Sequence, residues 1–131
     1  MSTTNKTKTA IGYTCTAEET GALLRHTEAI REYCERESIA LDGVVSFVGS
    51  KRVPLDERAG LVLKETILMK GVDLLVVQSV ACLGRDWVDI YNTLEWLYKH
   101  GVDAYILDHS YYCVIGGNRK PPRWFAASLR N

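Results

Sequence analysis

Leu74-Leu75-Val76-Val77 is an unbroken apolar run set between Asp73 and Gln78-Ser79, and it limits the folds open to the chain more than any other segment. A strand that alternates apolar and polar residues covers one face of a sheet, whereas a continuous Val/Leu run needs both faces buried, as in a parallel sheet between helices. The rest of the chain supplies such helices. Short β-rich runs alternate with longer segments of helical periodicity, the order expected of βαβ units. The expectation is an α/β fold with a small doubly wound, mainly parallel sheet of four to five strands, and with residues 73–79 as its central strand.

Residues 9–14 read as the first strand and 17–37 as the first helix, with Leu23, Thr27, Ile30 and Cys34 facing inward and Glu18 and Glu19 favouring the helix start. Residues 43–48 form a short second strand, followed by a polar loop, 49–55, that carries Lys51 and Arg52. Asp56 is placed to cap a second helix ending at Lys70-Gly71, and Asp86 to cap a third that ends at Gly101. Strands at 102–107 and 111–115 complete the reading. In the third helix Trp87, Tyr91 and Tyr98 share one face and are expected in the core, with Trp96 off that stripe. Right-handed crossovers give the strand order 2-1-3-4, so Cys15, Thr16 and Ala17 should meet Ala81, Cys82 and Arg85 at the C-terminal strand ends, where ligands of doubly wound sheets gather.

The charge balance excludes a global attraction to nucleic acid or anionic membrane, because Lys plus Arg and Asp plus Glu number 16 each. Basic character is local: residues 116–131 carry Arg119, Lys120, Arg123 and Arg130 with no acidic residue. The expected organisation is a flexible N-terminus at 1–8, one catalytic-type domain at 9–115 and a basic tail at 116–131, with no separate DNA-binding domain. Cys15, Cys34, Cys82 and Cys113 are dispersed, without a CxxC pair or histidine cluster, so they read as buried thiols and no metal is expected. No stretch approaches the ~18 apolar residues of a membrane span or resembles a signal peptide, which leads to the expectation of a soluble cytoplasmic protein.

Several blocks in order resemble the catalytic domain of serine recombinases, the resolvase/invertase family: Ile11-Gly12-Tyr13, Ala29-Ile30-Arg31-Glu32-Tyr33-Cys34, Asp73-Leu74-Leu75-Val76-Val77, then Leu83-Gly84-Arg85-Asp86 and Gly101-Val102. The resemblance spans roughly residues 9–108. It implies a fold in which a serine attacks a DNA phosphodiester, forming a 5′-phosphoserine link, while arginines neutralise the phosphate without metal or cofactor. The family pattern Y-x-R-V-S falls on Tyr13-Thr14-Cys15-Thr16-Ala17, so the serine position is Ala17 and its arginine position is Cys15. The pattern D-R-L-G-R falls on Ala81-Cys82-Leu83-Gly84-Arg85, which replaces the aspartate and the first arginine. Arg85 matches the second arginine, and Arg58 matches another at a helix start.

No catalytic residue of the family set is therefore intact, with Thr16 and Cys15 as weak substitutes for the nucleophile. Arg58, Arg85, Lys51 and Arg52 are the candidate phosphate- or DNA-binding residues, and the bland alternative for each is a solvated surface charge. A Cys15–Cys82 redox or metal pair competes with the simpler reading of two small residues filling space left by arginines. His26 occupies the place of a family glutamine and reads as structural. The resemblance implies a recombination-linked protein of mobile-element origin, acting through weak contacts to the DNA backbone, through self-association, or through a heteromer with an active serine recombinase. A catalytic fragment with an altered nucleophile and a phosphate- or small-molecule-binding α/β module are the alternatives.

Overall fold

The computed structural model describes residues 8–17, 21–50, 52–57, 59–109 and 111–113. Strand β1 (Thr9–Thr16) lies between β2 (Ala40–Val48) and β3 (Leu74–Val77), and β4 (Asp103–Ile106) and β5 (Tyr111–Cys113) continue the sheet in the order β2-β1-β3-β4-β5. The first four strands are mutually parallel and β5 runs antiparallel to β4. The expected class, strand number and order are thus observed.

The central run behaves as its composition requires, since all four residues of β3 are completely buried. Leu75 and Val77 join Ile11, Tyr13 and Cys15 in one apolar cluster, while Leu74 and Val76 join Ala10, Ile30 and Cys34 in the other. Helix α1 (Ala22–Arg36) covers the second of these faces. Helices α2 (Gly60–Lys70) and α3 (Trp87–Lys99) supply Leu63, Ile67, Ile90 and Leu97 to the first. Gly12 allows the close approach of α1 to β1, because a Cβ there would come within 2.9 Å of Ile30 Cγ2.

Several boundaries move for identifiable reasons. The first helix starts at Ala22 rather than residue 17, because Gly21 turns the chain with φ 86° and accepts the Arg25 amide at its carbonyl (3.1 Å). Glu18 and Glu19 lie outside the described residues. Strand β2 begins at Ala40, three residues early, since the Ala40 amide already donates to the Lys8 carbonyl (2.8 Å) and the ladder with β1 runs on from there.

The proposed cap Asp56 is not one. Leu55–Glu57 forms a separate 3-10 turn, Ala59 adopts the left-handed conformation (φ 67°), and α2 starts at Gly60. A Cβ on Gly60 would overlap the Leu55 carbonyl, so the turn folds directly back onto the helix start, and Asp56 pairs instead with Lys64 (2.9 Å). Asp86 does cap α3, accepting the Asp89 amide at 2.9 Å, and Gly71 closes α2 with φ 63°.

The aromatic assignment in α3 also needs correction. Tyr91 and Tyr98 are exposed, whereas Trp96, like Trp87, packs partly buried against the core. The reason is tertiary: α2 lies on the Trp96 side, placing Lys64 Nζ 5.6 Å from the Trp96 ring, and His100 stacks on that ring with centroids 4.1 Å apart.

Candidate functional site at the C-terminal edge of the sheet

Parallel strands deliver their C-terminal ends to one edge, and the reversal of strand order between β1 and β3 leaves a place there that no crossover covers. Ala17, immediately after β1, is exposed at this edge. From the end of β3 the chain passes through a 3-10 turn, Val80–Leu83, which packs back against β1 and β3. Cys15 and Cys82 consequently enter the same apolar cluster, at 0% and 1% exposure. Both are thiols rather than halves of a disulfide, and Cys82 Sγ lies 3.6 Å from Ser79 Oγ. No group of three or more His, Cys, Asp or Glu side chains suited to a metal occurs among the described residues.

Cys15 and Thr16, the residues expected as alternative nucleophiles, are both buried. Cys15 points into the α2/α3 face with Tyr13 and Leu55. Thr16 is 7% exposed, and its carbonyl is held by the Gly49 amide at 2.9 Å. The one exposed position at the end of β1 is therefore the alanine.

Arg85 is half-exposed at the mouth of the turn, with Nε 3.6 Å from Asp86 Oδ2. A half-exposed pair at that distance contributes at most about 1 kcal/mol, so little holds the guanidinium away from another anion. The turn beneath it is firm, because buried Thr93 donates its hydroxyl to the Leu83 carbonyl at 2.7 Å. Arg52 is exposed on the polar loop, where its amide donates to Ser50 Oγ (3.1 Å). Lys51 and Arg58 lie outside the described residues, as does the basic tail. His26 is half-buried on α1.

Two polar features escaped the sequence reading. Gln78 and Asp108 join the ends of β3 and β4 through Nε2 to Oδ1 (2.7 Å) and through the Asp108 amide to the Gln78 carbonyl (2.9 Å). Asp89 accepts the amides of Arg85 (2.8 Å) and Leu55 (2.9 Å) on a single carboxylate oxygen. The signal for Asp89 was its spacing, three residues after the cap Asp86, where a reciprocal capping acid belongs. Among the described residues, cavities also lie elsewhere. One of about 380 Å³ sits between α1 and β2, against Arg31, Cys34 and Leu41, and one of about 280 Å³ lies near Asp73, His100 and Val102.

Solved structures share the fold. The catalytic domain of ISC1926 TnpA, an IS607-like serine recombinase, matches with a TM-score of 0.68 at 18% identity, over 76% of this chain and 68% of that one. The fold is that of a serine recombinase catalytic domain. The N-terminal catalytic domain of TP901-1 integrase gives 0.66 at 19% identity over 80% and 81% of the two chains. A resolvase family site-specific recombinase from Streptococcus pneumoniae gives 0.62 at 10% identity over 94% and 84%. No family model and no curated protein matches the chain by sequence. The serine recombinase-like domain has no helix, among its described residues, long and apolar enough to cross a membrane.

Proposed function

We propose that this chain is a resolvase-like protein of site-specific DNA recombination that binds without cutting. It contacts the DNA backbone weakly and associates with itself or with an active serine recombinase, whose mixed oligomers it renders inactive. The observation that carries this reading is the exposed Ala17 at the end of β1, flanked by enclosed Cys15 and Thr16. A methyl side chain offers no atom to attack phosphorus. Loss of an activated nucleophile lowers turnover by about 10⁶-fold in a serine protease, and loss of arginines at a phosphoryl transition state by ~10³ to 10⁵.

The test is incubation with supercoiled and nicked suicide-site DNA, followed by denaturing electrophoresis for a covalent protein–DNA adduct. No adduct is expected from the wild type. An adduct abolished by Thr16→Ala or Cys15→Ala would overturn the reading in favour of an altered nucleophile. Ala17→Ser alone is also expected to form none, because the two neighbouring arginine positions are Cys15 and Cys82.

A further inference from the structure

Strand β2 is an edge of the sheet, pairing with β1 alone among the described residues. In a parallel ladder, successive residues turn their main-chain groups alternately toward and away from the neighbouring strand. The Gly49 amide donates to the Thr16 carbonyl at 2.9 Å, so Phe47, Val45 and Gly43 also face β1, and Val44, Ser46 and Val48 present N–H and C=O to the open edge. Edge strands are usually blunted by charge, proline, a bulge or a covering element. Here the register shift and Asp42 precede the regular segment, and Gly43-Val44-Val45-Ser46-Phe47-Val48 carries neither charge nor proline. Helix α1 does not close the edge either. A cavity of about 380 Å³ lies between it and Leu41, Gly43 and Val44, and a Cβ on Gly43 would meet no atom within 4 Å.

We propose that β2 pairs antiparallel with β2 of a second copy about a two-fold axis at Ser46, joining the two sheets into one. The register follows from the outward row, because bonding all of it sets Val44 opposite Val48 of the second copy and Ser46 opposite Ser46 of the second copy. The side chains agree with that register. On one face valine meets valine, with hydroxyl against hydroxyl at the axis. On the other, Val45 meets Phe47 of the second copy, an aromatic and β-branched pair of the kind that stabilises sheets. The ladder ends with Gly43 opposite Gly49 of the second copy, where no side chains collide. Val48, 43% exposed in the single chain, gains cover. The contact is smaller than the standard ~800 Å² per partner, so the dimer is weak and depends on concentration. The inference rests on the self-association part of the reading above and names its surface.

The experiment is sedimentation equilibrium over a concentration series, without DNA, for the wild type, Val48→Lys, Ser46→Pro and Met69→Lys. The wild type is expected to move from monomer toward dimer as concentration rises, and Val48→Lys and Ser46→Pro to stay monomeric. The outward Ser46 amide takes no part in the ladder with β1, so proline is tolerated there as on other edges. Ser46→Pro also removes the hydroxyl bonded to Thr14 (2.8 Å), and Val48→Lys carries the test if that variant does not fold. Met69, 78% exposed on α2, is the control: Met69→Lys should dimerise like the wild type, which separates edge pairing from general apolar contact. A dimer untouched by Val48→Lys, or lost in Met69→Lys, would overturn the edge pairing and leave self-association standing. A wild type that is monomeric throughout overturns both.

Two further measurements read the register. Residues of a hydrogen-bonded antiparallel pair have Cα atoms ~5.5 Å apart, within the reach of a disulfide. Ser46→Cys should therefore form a linked dimer under mild oxidation, above the wild-type background, and the equally exposed Asp42→Cys, away from the axis, should not. No link in Ser46→Cys, or one formed as readily in Asp42→Cys, overturns the register. In the wild type the amides of Val44, Ser46 and Val48 should exchange with solvent more slowly as concentration rises, and unchanged exchange overturns the pairing.

Discussion

A single missing side-chain atom decides the conformation around Gly84. Its backbone is extended (φ 170°), so any residue could adopt it, but a Cβ would press on Asp89 Oδ2 and on the backbone of α3. Gly84→Ala is expected to destabilise the fold by about 1–3 kcal/mol, the range for overpacking against atoms that cannot move aside, and urea unfolding measures it. Cys34 offers a second residue-level prediction. Burial pushes its thiol up from 9.0 to about 11 by desolvating the thiolate. The folded chain therefore holds a proton that the unfolded chain has released, so the contribution is fully present below pH 9 and is lost as pH rises toward 11. The stability advantage of the wild type over Cys34→Ala should shrink across that window, as read by urea unfolding at stepped pH. Cys15 and Cys82 were legible as buried thiols from composition alone. Their shared cluster was legible only through strand order.

Caps show which element boundaries local sequence controls. Asp86 accepts the Asp89 amide and begins α3 where the periodicity placed it, whereas Asp56 has the same side chain and does not cap α2. Asp86→Ala should cost about 1 kcal/mol of stability, within the usual range for a lost N-cap. Asp56→Ala should cost less than that, because it removes only a partly exposed pair with Lys64. Thermal melts of the two variants side by side give the comparison. The difference lies beyond the local sequence: Gly60 must pack on the Leu55 carbonyl, which forces a turn between Asp56 and the helix. The aromatic stripe of α3 failed for a similar reason. Helical spacing groups Trp87, Tyr91 and Tyr98, but only the position of α2 determines that Trp96 is covered and Tyr98 is not.

At the scale of the whole molecule, β3 belongs to both apolar clusters, with odd residues on one face and even residues on the other. Truncation there should be felt globally. Leu75→Ala is expected to lose about 2–5 kcal/mol in a single cooperative transition, as large-to-small changes do at fully enclosed sites. Calorimetry would show a lowered midpoint without a second transition. The same architecture accounts for separation of fold from chemistry. Packing depends on Ile11, Tyr13, Leu75 and Ile90 inside the sheet layers, while position 17 and the Arg85 turn sit at the strand ends. Position 17, exposed at the end of β1, can carry alanine without opening the core.

The sequence alone determined the α/β class, the central strand and the strand order, because these follow from apolar periodicity and right-handed crossovers. Tertiary structure decided the rest. Burial withdrew Cys15 and Thr16 from solvent: Cys15 enters the apolar cluster to which α2 and α3 contribute, and the Thr16 carbonyl is held by the Gly49 amide. The joining of the Arg85 turn to the Leu55 turn through Asp89 was likewise beyond sequence reading, since it depends on two backbone amides brought within 3 Å of one oxygen by packing rather than by spacing.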